Sequence, residues 1–270
     1  MKKMKSGFIG FVPRDGDYLG TLKTYANIGY KAVEGVYARP EEDISARLAA
    51  VRDMGLEIVT IATNVQGDAN PDAKELIAKA NTVGVKRVTM YSGSLCTYRF
   101  GGRSDLPQID ELKKEMAKME ALAKTLDDEG IALMFHNHDV EFKTCYNGVP
   151  FFWMMANECA HLKFELDIGW VQYAGVDPAT LISQLGKRIS VLHVKDYIRG
   201  INYHDEAKTN PVPLYAAPGT GVLDLQGCFE AASPFDIEYA VIEQDRQHIL
   251  TQEESVRAGY YNMKETGYVE

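Results

Sequence analysis

The chain has 270 residues, a formal net charge of −9, 46% hydrophobic and 25% charged residues. That length allows one large α/β domain, and the acidity counts against a sequence-independent grip on DNA or RNA, which needs basic surface to replace counterions. A small ligand held by local charges stays open.

Cys96, Cys145, Cys159 and Cys228 are scattered, with no CxxC pair and no zinc-finger spacing. They read as free thiols in a reducing compartment. The basic start Met1-Lys2-Lys3-Met4-Lys5-Ser6 leads into an apolar run only from Gly7 to Val12, which Arg14 and Asp15 break. That run is too short for a signal peptide or a membrane span. A cytoplasmic protein with no membrane partner is expected.

In chain order the sequence alternates strand and helix. Residues 8–11 read as a strand and 18–27 as a helix. A second strand over 32–35 precedes an amphipathic helix over 41–54, with Ile44, Leu48 and Val51 on one face and Gly55 as its C-cap. Strand 57–62 leads to helix 72–83, and strand 87–91 to a long connection over 92–107 and a helix over 109–128. The fifth strand, 132–135, is followed by helix 149–157. The sixth, 163–166, is followed by helix 178–185, where Asp177 before Pro178 is an N-cap with proline at the first helical position. Strand 189–194 runs into a loop over 197–222 and a helix over 223–232. Strand 239–242 and helix 252–265 end the chain.

Eight strand–helix units predict an α/β protein, a (β/α)8 barrel forming a single domain over residues 1–270. An open doubly wound sheet would want a glycine-rich phosphate loop after an early strand. No early junction carries G-x-G-x-x-G, and Gly219-Thr220-Gly221 lacks a strand before it.

The last four strands each end in metal-ligand chemistry: His136 to Glu141, Glu165 to Asp167, His193 to Asp196, and Glu243 to Asp245. Parallel strands of a barrel deliver their C-terminal ends to one rim. Alternate residues share a side, so His136 pairs with His138, Glu165 with Asp167, His193 with Lys195 and Glu243 with Asp245. Asp167, His193 and Glu243 are taken as ligands of one divalent metal ion, with Glu141 as the fourth; Asp139 or His136 can replace Glu141. Such an oxygen and nitrogen set suits Mn²⁺, Co²⁺, Mg²⁺ or Zn²⁺. Glu165 is placed one layer deeper.

Lys195 is read as the partner of a developing oxyanion, against a plain ion pair with Asp196 or Glu165. His138 is read as a proton relay, against a supporting role beside Glu141. Glu34, His136, Trp170 and Arg246 are candidate substrate contacts. The alternatives are a salt bridge for Glu34, core packing for Trp170 and simple solvation for Arg246. Tyr91 and Phe11 are further rim aromatics, and Arg99 a further anion contact. In the long loops, Cys96, Tyr98, Arg99, Tyr203 and His204 face either substrate or a neighbouring subunit, so a homo-oligomer is left open.

The runs Phe135-His136-Asn137-His138-Asp139-Val140-Glu141-Phe142, Glu165-Leu166-Asp167-Ile168-Gly169-Trp170, Leu192-His193-Val194-Lys195-Asp196, Pro218-Gly219-Thr220-Gly221 and Ile242-Glu243-Gln244-Asp245 resemble the sugar phosphate isomerase/epimerase group of the xylose isomerase-like TIM barrels. The resemblance spans essentially the whole chain. It implies metal ligation by Glu141, Asp167, His193 and Glu243, and proton abstraction next to a carbonyl of a small sugar or polyol substrate through an enediolate. Glu243 or His138 would be the base. The outcome would be isomerisation or epimerisation, or, on the same metal site, elimination from a keto-sugar, keto-glycoside or inosose.

Two departures shape that expectation. The endonuclease branch of the superfamily needs a histidine three residues after the strand-six aspartate, where this chain has Trp170; no nucleic-acid substrate is expected. The ketose 3-epimerases end strand five in glutamate, where this chain reads His-Asn-His. That leans toward the inosose and keto-sugar branch, in which a histidine serves as acid or base.

Overall fold

Runs such as Val191-Leu192-His193-Val194 are buried on successive residues, as strands covered on both faces must be. The computed structural model describes residues 2–9, 16–36, 43–203 and 211–270; Phe11 and His204 lie outside them. The strands are β1 (Lys5–Ile9), β2 (Ala32–Val33), β3 (Glu57–Ile58), β4 (Ile61–Thr63), β5 (Arg87–Met90), β6 (Ala132–His136), β7 (Cys145–Tyr146), β8 (Val149–Pro150), β9 (Lys163–Asp167), β10 (Ile189–Val194), β11 (Asp196–Tyr203), β12 (Val212–Ala216) and β13 (Tyr239–Glu243).

Among the described residues, nine of these form one sheet in the order β3-β2-β1-β13-β10-β9-β6-β5-β4, and every pairing in it is parallel. β3 pairs with β2 and β4 with β5. They are two pieces of one strand interrupted at Val59 and Thr60, so the ends of the order meet and the sheet closes. This is the expected TIM barrel, α/β in class and a single domain.

Alternation along the strands builds two cores. Val33, Phe135, Leu166, Leu192 and Ile242 face the helices and join the large outer core. Their neighbours Ala32, Met134, Val191 and Val241 point the other way and, with Val59 and Tyr239, plug the barrel. Two residues further on, on that same inward side, come Glu34, His136, His193 and Glu243. The polar centre therefore rests on an apolar floor.

Helices Pro178–Leu185 and Gln252–Glu265 have the bounds the sequence predicts. Asp177 accepts from Thr180 N–H, and Thr251 and Glu254 form a capping box. Three short rim helices, Ser94–Arg99, Val140–Lys143 and Ile168–Tyr173, are additional to the predicted elements. Within 197–222, β11 and β12 form an antiparallel ribbon in place of the expected loop.

The carboxylate of Asp196 ties that ribbon to the barrel. It accepts backbone N–H groups from Tyr197, Gly219, Gly221, Val222 and Leu223. A Cβ at position 221 would collide with its Oδ1, so glycine is required there. Asp196 thus organises the loop, and Lys195 is free to pair elsewhere.

Candidate metal centre

Strand register sets the centre. His193 of β10 lies beside Asp167 of β9, and His136 of β6 beside Glu165. His136, Glu165, Asp167, His193 and Glu34 are all buried, and buried charge is tolerated only when paired. His193 Nδ1 is 3.0 Å from Glu243 Oε2, and its Nε2 is 3.2 Å from Glu34 Oε2 and 3.3 Å from Glu165 Oε1. His136 Nδ1 is 3.3 Å from Glu165 Oε1, and its Nε2 is 3.8 Å from Glu243 Oε2 and 3.9 Å from Asp167 Oδ2.

One ligand atom from each of His136, Asp167, His193 and Glu243 comes within 4.8 Å of all the others. Two contacts fix the Asp167 carboxylate and its strand end in that group. Its Oδ1 accepts Trp170 N–H at 2.8 Å and caps the helix Ile168–Tyr173. Its Oδ2 is buried with no hydrogen-bond partner among the described residues. Asn137, missed in the sequence, clips the two strand ends together. Its Nδ2 donates to Asp167 O at 3.1 Å, and its Oδ1 accepts Asp167 N–H at 3.0 Å.

Lys195 Nζ stands above, 3.0 Å from Asp245 Oδ2, 3.3 Å from Glu243 Oε2 and 3.5 Å from Asp167 Oδ2. Its partners are these three rather than Asp196 or Glu165. The ammonium lies 5.1 Å from the Trp170 ring and 5.7 Å from that of Tyr215, an aromatic seat. Nothing in the residue pattern marked Tyr215; Asp245 was visible through its shared side with Glu243.

Electrostatics follow from burial and these partners. Burial would lower His193, but Glu165, Glu34 and Glu243 hold it well above its ordinary value. Burial and the neighbouring His193 push His136 well below the usual imidazole range. Burial lifts Glu165 well above the carboxylate range, aided by Glu34, and lifts Asp167 to about 6. Burial would also raise Glu243, but Lys195 and then His193 hold it well below that range.

Glu141 lies outside the converging group, and its Oε1 is buried without a hydrogen-bond partner among the described residues. The chain turns into the helix Val140–Lys143 directly after Asp139, which carries Glu141 out of the line of β6. Its Oε2 accepts His138 N–H at 2.7 Å, and burial pushes its carboxyl up to about 8. The fourth place in the converging group is taken by His136. Asp139, the other substitute, is taken by Arg99 at 3.1 Å and Lys143 at 2.9 Å.

The remaining sequence candidates surround this group. Glu34 accepts the Tyr91 hydroxyl at 2.6 Å and pairs with His193 at 3.2 Å. Trp170 is buried under Lys195. Arg246 is exposed, its guanidinium 5.9 Å from the Tyr203 ring. The His138 ring is 5.1 Å from that of His136, and its Nε2 is 3.8 Å from Cys96 Sγ. His138 Nδ1 has no hydrogen-bond partner among the described residues. Burial and then Lys195 lower His138 to about 4, so the ring is neutral at neutral pH. No helix among the described residues is long and apolar enough to cross a membrane.

The sequence profile of the xylose isomerase-like TIM barrels matches residues 22–265. No curated protein matches the chain in sequence. Similar solved structures include a sugar phosphate isomerase/epimerase from Parabacteroides distasonis ATCC 8503, 19% identical with a TM-score of 0.69 over 97% of this chain and 95% of that one. The probable 3-DHS dehydratase AsbF of Bacillus anthracis, involved in petrobactin synthesis, is 14% identical with a TM-score of 0.73 over 97% and 99%. The IOLI protein, solved with a bound zinc atom, is 16% identical with a TM-score of 0.70 over 98% and 99%. At these identities the likeness is one of fold.

Proposed function

The chain belongs to the xylose isomerase-like TIM-barrel family, and from that premise we propose that it is a sugar isomerase or epimerase whose divalent ion is held by His136, Asp167, His193 and Glu243. The observation that carries this reading is the convergence of those four groups within 4.8 Å at the C-terminal strand ends. The residues fit such an ion. Two carboxylate oxygens and two imidazole nitrogens make a mixed donor set suited to Mn²⁺, Co²⁺, Mg²⁺ or Zn²⁺. Asp167 Oδ2 is buried without a hydrogen-bond partner among the described residues, and its charge is faced by Lys195 Nζ at 3.5 Å. When bound, such an ion supplies Lewis-acid polarisation of a substrate carbonyl oxygen.

The chain's own residues would do the rest. His138 removes the proton next to the carbonyl: its ring is neutral, half-buried and beside the centre, and its Nδ1 is uncommitted. Glu243 suits a ligand better than a base, because Lys195 and His193 keep it strongly ionised. The C–H electron pair becomes a carbon–carbon double bond and the carbonyl π pair moves onto the oxygen as the enediolate forms, and Lys195 Nζ faces that negative charge. Return of the proton from His138 to the neighbouring carbon, with the hydroxyl proton passing between the two oxygens, gives the isomer; the epimer needs a second acid to deliver a proton to the opposite face of the same carbon. A second reading is a lyase on a keto-sugar, keto-glycoside or inosose. His138 favours it as well, since a protonated imidazole can hand its proton to a departing hydroxyl or alkoxyl oxygen.

The test is deuterium uptake from D₂O by a panel of keto-sugars and inososes, with chelated protein and with protein resupplied with each of the four ions. The expected result is ion-dependent exchange that His138→Asn lowers by about 10²–10⁴-fold. Unchanged product mass apart from deuterium marks the isomerase, and loss of water or aglycone marks the lyase. Undiminished exchange in chelated protein would overturn the role of the ion.

A further inference from the structure

Glu165 stands beneath both imidazoles of the centre. Its Oε1 is 3.3 Å from His136 Nδ1 and 3.3 Å from His193 Nε2. Its Oε2 is 3.1 Å from Thr89 Oγ1. Thr89 Oγ1 is in turn 2.9 Å from Thr60 Oγ1, which is 3.1 Å from the Ile61 carbonyl oxygen. All these side chains are buried, so their hydrogen bonds must be satisfied within the protein.

A hydroxyl has one hydrogen to give. Thr89 Oγ1 donates to Glu165 Oε2, and Thr60 has Thr89 Oγ1 and Ile61 O as its neighbours. Glu165 Oε1 is left as an acceptor for the two rings.

We propose that Glu165 is the positioning residue of the centre: its Oε1 accepts both His136 Nδ1–H and His193 Nε2–H. This leaves His136 Nε2 and His193 Nδ1 as lone pairs facing Asp167 and Glu243. A ligating imidazole needs its second nitrogen to donate to a fixed acceptor, which sets the tautomer and the ring orientation. The His193 Nε2–H is bonded to Glu34 Oε2 at 3.2 Å and has Glu165 Oε1, at 3.3 Å, as its second acceptor. Among the described residues, only Glu165 is in contact with both rings on this side. The inference rests on the reading that these groups hold a divalent ion.

The experiment is a Zn²⁺ titration of the full chain against a competing chelator, for wild type, Glu165→Gln and Glu165→Met. Glutamine keeps the ring contacts through its carbonyl oxygen, and its amide N–H meets Thr89 Oγ1, whose own hydrogen then goes to Thr60. It should bind zinc within about threefold of wild type, because the acceptor for both rings survives. Methionine removes the acceptor and should weaken binding about 10–100-fold. Ring ¹⁵N spectra of the zinc-loaded wild type should show His136 protonated at Nδ1 and His193 at Nε2. The assignment is overturned if glutamine loses as much affinity as methionine, if methionine binds like wild type, or if the ring protons sit on the opposite nitrogens. The glutamine and spectral results decide it even where the methionine variant does not fold. A folded wild type that takes up no zinc would instead overturn the metal reading itself.

Discussion

The two halves of the barrel end their strands differently. The first half, β1 to β5, supplies Glu34, Thr60, Thr89 and Tyr91, all of which meet the centre from below or from the side. The second half, β6, β9, β10 and β13, supplies His136, Asp167, His193 and Glu243. The second arc carries the groups that would touch an ion or a substrate, with Glu165 and Asn137 to orient them, and the first arc supports them. Changes to the converging groups of the second arc should therefore abolish function, and changes in the first should detune it.

The largest effect is expected from Asp167→Asn. Asparagine caps a helix as well as aspartate does, so the bond from Trp170 N–H and the fold should survive. The anionic oxygen aimed into the centre is lost. Ion affinity should fall by more than the about 10–100-fold typical of losing a ligand's supporting partner, and turnover should fall to background. Calorimetric ion titration beside a thermal melt checks this. Tight ion binding with a normal melt would remove Asp167 from the ligand set and break the division between the arcs.

A step smaller is Lys195→Met. The ammonium lies within 3.5 Å of three carboxylates of the second arc. Its removal takes a positive charge away from the ion's neighbourhood, so ion affinity should hold or rise. If Lys195 faces the developing oxyanion, turnover should drop about 10²–10³-fold. Measuring ion affinity and kcat on the same preparation separates the two. Loss of ion binding in step with kcat would make Lys195 a structural counter-charge only.

The same division explains which parts of the site were legible in the sequence. The second-arc strands are apolar runs that end in acids and imidazoles, and alternation alone put Asp167, His193, Glu243 and their neighbours on one side. Glu165 was placed correctly one layer down for the same reason. A period of two holds only within a strand and loses its meaning past the strand's end. Once the chain bends into the helix Val140–Lys143, counting from β6 no longer says where Glu141 points, and His136, still within the strand, takes the place expected of it. Asn137 gave no signal because its role depends on the register of β6 against β9, a pairing between distant residues. The ribbon β11/β12 showed no clean alternation, because the outer half of β11 is exposed on successive residues and β12 is buried on nearly all of its own.

The smallest effect on ion binding is expected from Glu141→Gln, which tests that correction directly. If Glu141 only supports the turn at His138, glutamine keeps an oxygen to accept that N–H. Ion affinity should then stay within about twofold, because no ligand or ligand partner is lost. Stability against pH should change more. Burial lifts the folded-state value to about 8 from an ordinary 4.5. The folded chain therefore keeps a proton that the unfolded chain has already released. That contribution to stability is fully present below about 4.5 and is lost as pH rises through about 8. Glutamine cannot ionise, so denaturation at about pH 5 and about pH 9 should find the variant gaining on wild type by on the order of a few kcal/mol. Parallel stability profiles would mean that the wild-type carboxyl is ionised against a counter-charge. Loss of the ion in Glu141→Gln would return Glu141 to the ligand set and place one essential group of the second arc beyond its strand.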